Sequence, residues 1–167
     1  MLRFILLLIF VPTFALAQDL RQSLIGSWSG EGSVKIRPTS NMKPAKCTAK
    51  FKEISGYWLG GSLSCKRGRR RDLVNLRFEN PNGNGQMNVD LFDDDGDILV
   101  SFDGQLTSEQ LALFHPEVLE FGGIEYRPVL VFQTDGTRTF QLSQLGVPTT
   151  NDAARYTMTD IVFERQK

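Results

Sequence analysis

The chain has 167 residues, with 19 basic and 19 acidic side chains, so its net charge is near zero. That balance excludes a protein held to nucleic acid by a general excess of positive charge. One histidine and two cysteines are too few for the usual multi-ligand zinc sites.

The N-terminus reads Met-Leu-Arg, then an apolar run from Phe4 to Phe14, then Ala15-Leu16-Ala17. A short positive region, an apolar run and a small-x-small site are the features of a secretory signal peptide. The run is interrupted by Pro12 and Thr13 and falls short of the roughly 20 apolar residues that a membrane span needs. We therefore expect residues 1–17 to be removed, Gln18 to become the N-terminus, and 18–167 to form one exported domain, in the periplasm or outside the cell. No transmembrane segment is expected in the mature chain.

That mature chain is electrically lopsided. Residues 18–71 carry 12 basic and 3 acidic side chains, and residues 72–167 carry 6 and 16. In one domain this implies two faces of opposite sign.

Short runs of period two follow in order. Trp28, Gly30, Gly32, Val34 and Ile36 share one face of a first strand, with Ser29, Glu31, Ser33 and Lys35 on the other, the pattern of a half-buried antiparallel strand. Residues 38–44 form a loop. Cys47-Ala49-Phe51 and Tyr57-Leu59-Leu63-Cys65 match in parity about a turn at Ser55-Gly56, which sets Cys47 opposite Cys65. An even cysteine count in an oxidising compartment reads as a disulfide, and opposed positions of an antiparallel pair bring the Cβ atoms within reach. Tyr57 and Trp58, read as neighbours in a strand, face opposite sides.

Lys66, Arg67, Arg69, Arg70 and Arg71 form a basic loop around Gly68. It is a candidate patch for an anionic partner, or else a solvated loop balanced by the acidic half of its own domain. No aromatic residues interleave with it as a single-stranded nucleic-acid platform requires, so no nucleic-acid partner is expected. Val74, Leu76 and Phe78 mark the next strand, residues 80–85 a turn, and Met87, Val89 and Leu91 another strand. Asp93, Asp94, Asp95 and Asp97 surround Gly96. An EF-hand with its glycine there needs acids where Leu91 and Phe102 stand, so the cluster reads as a polar hairpin turn and not a calcium loop. Ile98, Val100 and Phe102 continue the alternation.

At Thr107-Ser-Glu-Gln110 the spacing resembles a helix capping box. With Leu111, Leu113 and Phe114 behind it, it predicts a short helical insertion near 107–121. His115, in that insertion, has none of the partners of a catalytic triad, and Glu117 and Glu120 have the spacing of ordinary surface acids. No catalytic residue, metal or cofactor is assigned. Strand patterns resume at Val129–Phe132, turn at Asp135-Gly136, return through Phe140 and Leu142, and end in a strand at about 155–165 carrying Ile161 and Phe163. The fold expected is all-β: a single antiparallel up-and-down barrel of about eight to ten strands, with one short helical insertion.

The start of that barrel, Gly26-Ser27-Trp28 continued as Trp28-Ser29-Gly30-Glu31-Gly32, resembles the calycin barrels. Lipocalins in that group carry Gly-x-Trp at this point, and nitrobindin-like proteins Trp-x-Gly-x-Gly. The resemblance implies that Trp28 packs across one barrel end beside Gly26, and that Gly30 and Gly32 let the strand bend. It implies no haem: nitrobindin-like proteins hold the iron with a late histidine, and none follows His115. Small exported barrels with an early Trp and one disulfide also include metalloprotease inhibitors. The expected function is therefore a non-enzymatic barrel for a small apolar or amphipathic ligand. The alternative is an exported protein-interaction barrel, inhibitor-like or envelope-associated, with a filled interior. Oligomeric state is left open.

Overall fold

The computed structural model describes residues 20–35, 37, 39–80, 84–107, 110–121, 123–136, 138–149 and 155–167. The expected signal peptide, its cleavage site and Ile36 lie outside the described residues. A short helix, α1 (Leu20–Leu24), leads into eleven strands: β1 (Gly26–Val34), β2 (Lys43–Lys52), β3 (Leu59–Arg67), β4 (Arg70–Glu79), β5 (Gln86–Phe92), β6 (Ile98–Leu106), β7 (Gln110–Phe114), β8 (Leu119–Phe121), β9 (Ile124–Thr134), β10 (Thr139–Pro148) and β11 (Tyr156–Arg165).

Each barrel strand pairs antiparallel with its neighbour. β7 pairs with β9, β9 with β10, and β11 returns to β1. The result is a closed up-and-down barrel of ten strands, with β8 added alongside β9. Closure leaves no ladder edge along most of the wall, which removes the usual route to strand-to-strand aggregation.

Period two explains the wall. Along β2, Ala45, Cys47, Ala49 and Phe51 are buried and the intervening residues are exposed. Trp28 in β1, Leu76 and Phe78 in β4, Met87 and Val89 in β5, and Ile161 and Phe163 in β11 follow the same rule. Apolar side chains point in and charged ones out, the reverse of a barrel that faces lipid. Among the described residues no helix is long and apolar enough to cross a membrane.

Among the described residues of 107–121 the expected helical insertion is not found. Gln110–Phe114 is a strand whose Leu111 and Leu113 alternate into the core. The polar group that resembled a helix cap closes a hairpin instead: the Thr107 amide donates to the Gln110 carbonyl at 2.8 Å, and the Gln110 amide donates to Thr107 Oγ1 at 3.1 Å. A Thr side chain that satisfies an amide three residues on serves a tight turn as well as a helix start. The choice falls to the following residues, and Leu111 and Leu113 repeat at two, not at three and four. Tyr57 and Trp58 are also displaced from expectation. They lie in the β2–β3 connection, ahead of β3.

Candidate functional site

The strands divide the barrel into two ends. At one end lie α1, the β2–β3, β4–β5, β6–β7 and β9–β10 connections and the C-terminus. α1 plugs this end. Leu20 and Leu24 are buried within it, and the Trp28 indole Nε1 donates to the Leu24 carbonyl at 2.7 Å. The Arg165 guanidinium donates to the carbonyls of Ile25 and Ser23, both at 2.6 Å, and lies 4.3 Å above the Trp28 ring. Ser23 Oγ donates to the Gly136 carbonyl, and Arg21 pairs with Glu53. Inside, aromatic rings fill the bore. Phe140 stacks on Phe163 at 4.4 Å and meets the edge of Trp28 at 4.9 Å, while Phe51 and Phe78 extend the cluster to Phe132.

Gly30 and Gly32 serve this packing by absence. A Cβ on Gly30 would run into the Phe163 ring, and one on Gly32 into the Asp160 carbonyl. At both positions the missing side chain lets β11 and its aromatic residue approach, and the backbone stays in the strand region. Gly26, at φ 134°, holds a conformation that favours glycine and lies under the Arg165 side chain.

The other end is open. Here the bore passes from rings to aliphatic side chains and leaves a cavity of about 280 Å³. Leu63, Val74, Leu76, Leu91, Val100, Leu130 and Leu142 form its walls with Phe102 and Phe132, and Lys35, Arg67, Asp72, Gln144 and Thr159 stand around its mouth. Small-molecule sites commonly measure about 300–1,000 Å³, mostly apolar with a few placed polar groups. This cavity lies at the lower edge of that range and has that character.

Two of the residues singled out from sequence meet here. Cys47 and Cys65 stand opposite each other in the β2–β3 ladder and form a disulfide, Cα to Cα 4.1 Å, closing a separation of 18 residues. Cys65 lines the cavity, so the bridge belongs to its wall. Arg67, from the basic loop, turns toward the mouth. Its Nε donates to Asp72 Oδ2 at 3.0 Å, and its side chain is only 16% exposed. The rest of the loop is outside: Lys66, Arg69, Arg70 and Arg71 are exposed at the β3–β4 hairpin. Gly26, Trp28, Gly30 and Gly32 are not part of the cavity. The sequence reading missed Lys35, Asp72, Gln144 and Thr159. The signal was present for Asp72, which continues the inward parity of Val74, Leu76 and Phe78 toward the open end.

The remaining polar features are accounted for locally. The Asp93 carboxylate accepts from the amides of Asp95 and Asp97, closing the β5–β6 turn. Among the described residues no cluster of three metal-ligating side chains occurs. His115 is buried against Phe102, with Nδ1 within hydrogen-bond reach of both the amide and the carbonyl of Glu117.

Fold and site together define a closed ten-stranded barrel with one plugged end and, at the other, an apolar cavity with a polar rim, which is consistent with a calycin-like architecture. No known family model matches the chain, and no curated protein shows significant similarity to it.

Proposed function

We propose that this chain is an exported, non-enzymatic calycin-like barrel that takes a small apolar or amphipathic molecule into the open half of its interior. The observation that carries the reading is the apolar cavity at the mouth. A barrel of this size could fill its bore completely, as the plugged end does, yet the aliphatic half stays open. The mouth adds direction. Arg67 and Lys35 favour a ligand whose tail lies on Leu91, Leu130 and Leu142 and whose polar or anionic head remains at the rim. The disulfide supports the exported part of the reading, because such bridges persist in oxidising compartments. The rival reading, an interaction barrel with a filled interior, draws support from an outer groove beside Phe114, Val129, Leu145 and Val147. The open bore speaks against it.

The test is native mass spectrometry of protein purified from its own host. A retained small molecule, lost on substituting Leu91→Trp while the melting temperature is kept, is the expected result. Protein that carries no adduct, and whose affinity for apolar fluorescent probes is the same with Trp at position 91, would overturn the reading.

A further inference from the structure

The open end carries a second feature, which goes beyond the cavity and does not depend on it. In the ladder, Lys46 stands directly opposite Lys66, and Lys66 directly opposite Arg71. All three occupy outward positions, so three cations form one row across β2, β3 and β4. Arg67 faces Arg70 one step further along the hairpin. Like charges directly opposite one another weaken a sheet. Two members of this set are compensated within the chain: Glu31 binds Lys46 at 2.9 Å, and Asp72 binds Arg67. Among the described residues Lys66, Arg69, Arg70 and Arg71 have no carboxylate partner. Beyond the Arg67–Asp72 pair, the acidic half of the domain therefore supplies no partner to the loop, and the other four charges are left for something external.

The exposed apolar side chains point to what that is. Among the described residues, six large hydrophobic ones are strongly exposed, and five of them stand at the open end: Leu73, Ile98, Leu99, Phe114 and Val118. Leu73, 45% exposed, is on the outer face of β4 two residues from Arg71. Moreover, β5 reaches only to Asn75 of β4, so residues 70–74 run on past it, paired with β3 alone. At about 3.3 Å per residue the hairpin projects roughly 15 Å beyond β5. The acidic β5–β6 turn is held back at the level of Asn75, whose side-chain amide donates to the Asp93 carbonyl at 3.3 Å. The basic tip thus stands forward of the β5–β6 acids.

We infer that the open end of the barrel docks on an anionic lipid bilayer, with Lys66, Arg69, Arg70 and Arg71 at the headgroups and Leu73 entering the interface. A soluble polyanion would engage the cations alone. A bilayer satisfies cations and neighbouring aliphatic side chains in one plane, as interfacial protein segments require. Docking in this orientation brings the cavity mouth to the membrane.

The test uses protein produced with its own N-terminal segment in its host, then purified and mixed with vesicles of phosphatidylcholine with or without phosphatidylglycerol. Sedimentation should show binding to the anionic vesicles only, weakening as salt rises. Each cation near such a surface is worth about fivefold in partitioning. Substituting Arg69→Ser, Arg70→Ser and Arg71→Ser should then lower binding roughly a hundredfold, and Arg→Lys at the same three positions should restore it. Leu73→Ser should weaken vesicle binding but not binding to heparin. Equal binding to both vesicle types, retention by the triple serine variant, or a Leu73→Ser variant that binds vesicles unchanged would overturn the inference. The last result would assign the patch to a soluble polyanion.

Discussion

The plugged and open ends of this barrel are built by the same ten strands and obey opposite rules. At the plugged end the bore is filled by stacked and edge-to-face rings, and its charged groups are used internally: Arg165 covers Trp28 and satisfies two backbone carbonyls of the α1 segment. At the open end the bore is aliphatic and unfilled, the charged side chains ring the mouth, and several apolar ones stand in solvent. The difference shows where this fold keeps its stability and where it leaves surface for other work. Substitutions at the plugged end should therefore act on folding, and those at the open end on binding.

The largest effect expected is from Trp28→Ala. It removes a ring that is 1% exposed, together with its hydrogen bond to Leu24 and its contact with Phe140. Buried Trp-to-Ala changes cost about 3–5 kcal/mol, a large part of a domain's net stability. Urea unfolding should show this loss. A variant with wild-type stability would mean that α1 and its aromatic neighbours do not seal the barrel as described.

The disulfide is a strong constraint at the other end, so its removal should blur the contrast. Replacing Cys47 and Cys65 by Ala together is expected to cost about 2–4 kcal/mol, from the freedom regained by the unfolded chain. Because Cys65 is part of the cavity wall, the variant should also release any bound small molecule faster. A fall in melting temperature with ligand dissociation unchanged would show that the bridge staples the strands without shaping the mouth.

Arg165→Ala is next. Hydrogen bonds from a charged donor are worth about 1.5–3 kcal/mol each when the partner would otherwise be left unsatisfied. Here the Ile25 carbonyl lies near solvent and the Ser23 carbonyl is part-buried, so about 2–3 kcal/mol in all is expected. The loss should be local. Amide exchange in α1 should accelerate well before exchange in β3 or β4 does, and uniform acceleration would show that the plug and the wall unfold as one unit.

Much of this architecture was legible in the residues, because period two is a direct statement about a pleated wall. Strands β1 to β6, the disulfide register and the hairpins at Ser55-Gly56 and Asp135-Gly136 follow from parity and turn chemistry alone. The insertion at 107–121 was misread because Thr107 to Gln110 satisfies the local rule for a helix start, and only three apolar residues follow to decide between periods. α1 was missed for the opposite reason: five residues are too few to show a period, and what makes the segment helical is Leu20 and Leu24 seating in the barrel end. The cavity was not legible, since no one-dimensional pattern says which inward side chains fall short of meeting across the bore. The orientation of Arg67 was available in principle. It shares parity with Cys65 and Leu63, and a loop rich in arginine obscured the one that turns inward.

The smallest effect expected is the most discriminating between the two ends. Arg67 and Asp72 bind each other at the mouth, but unequally: the arginine side chain is 16% exposed and the aspartate 57%. A pair this open to water should show a coupling of about 0.2–1 kcal/mol in a double-mutant cycle of Arg67→Gln and Asp72→Asn. The two single changes should not be equal. Removing the arginine leaves a carboxylate that water can hydrate. Removing the carboxylate leaves a largely covered guanidinium directly opposite Arg70 with nothing to offset it, so Asp72→Asn should be the more destabilising. Added salt should shrink that difference, because it screens Arg70 from Arg67. The loss caused by Arg165→Ala at the plugged end, which consists of packed hydrogen bonds to backbone, should barely respond to salt. If both losses respond alike, the open end is no more electrostatic in character than the plugged one, and the division between them fails.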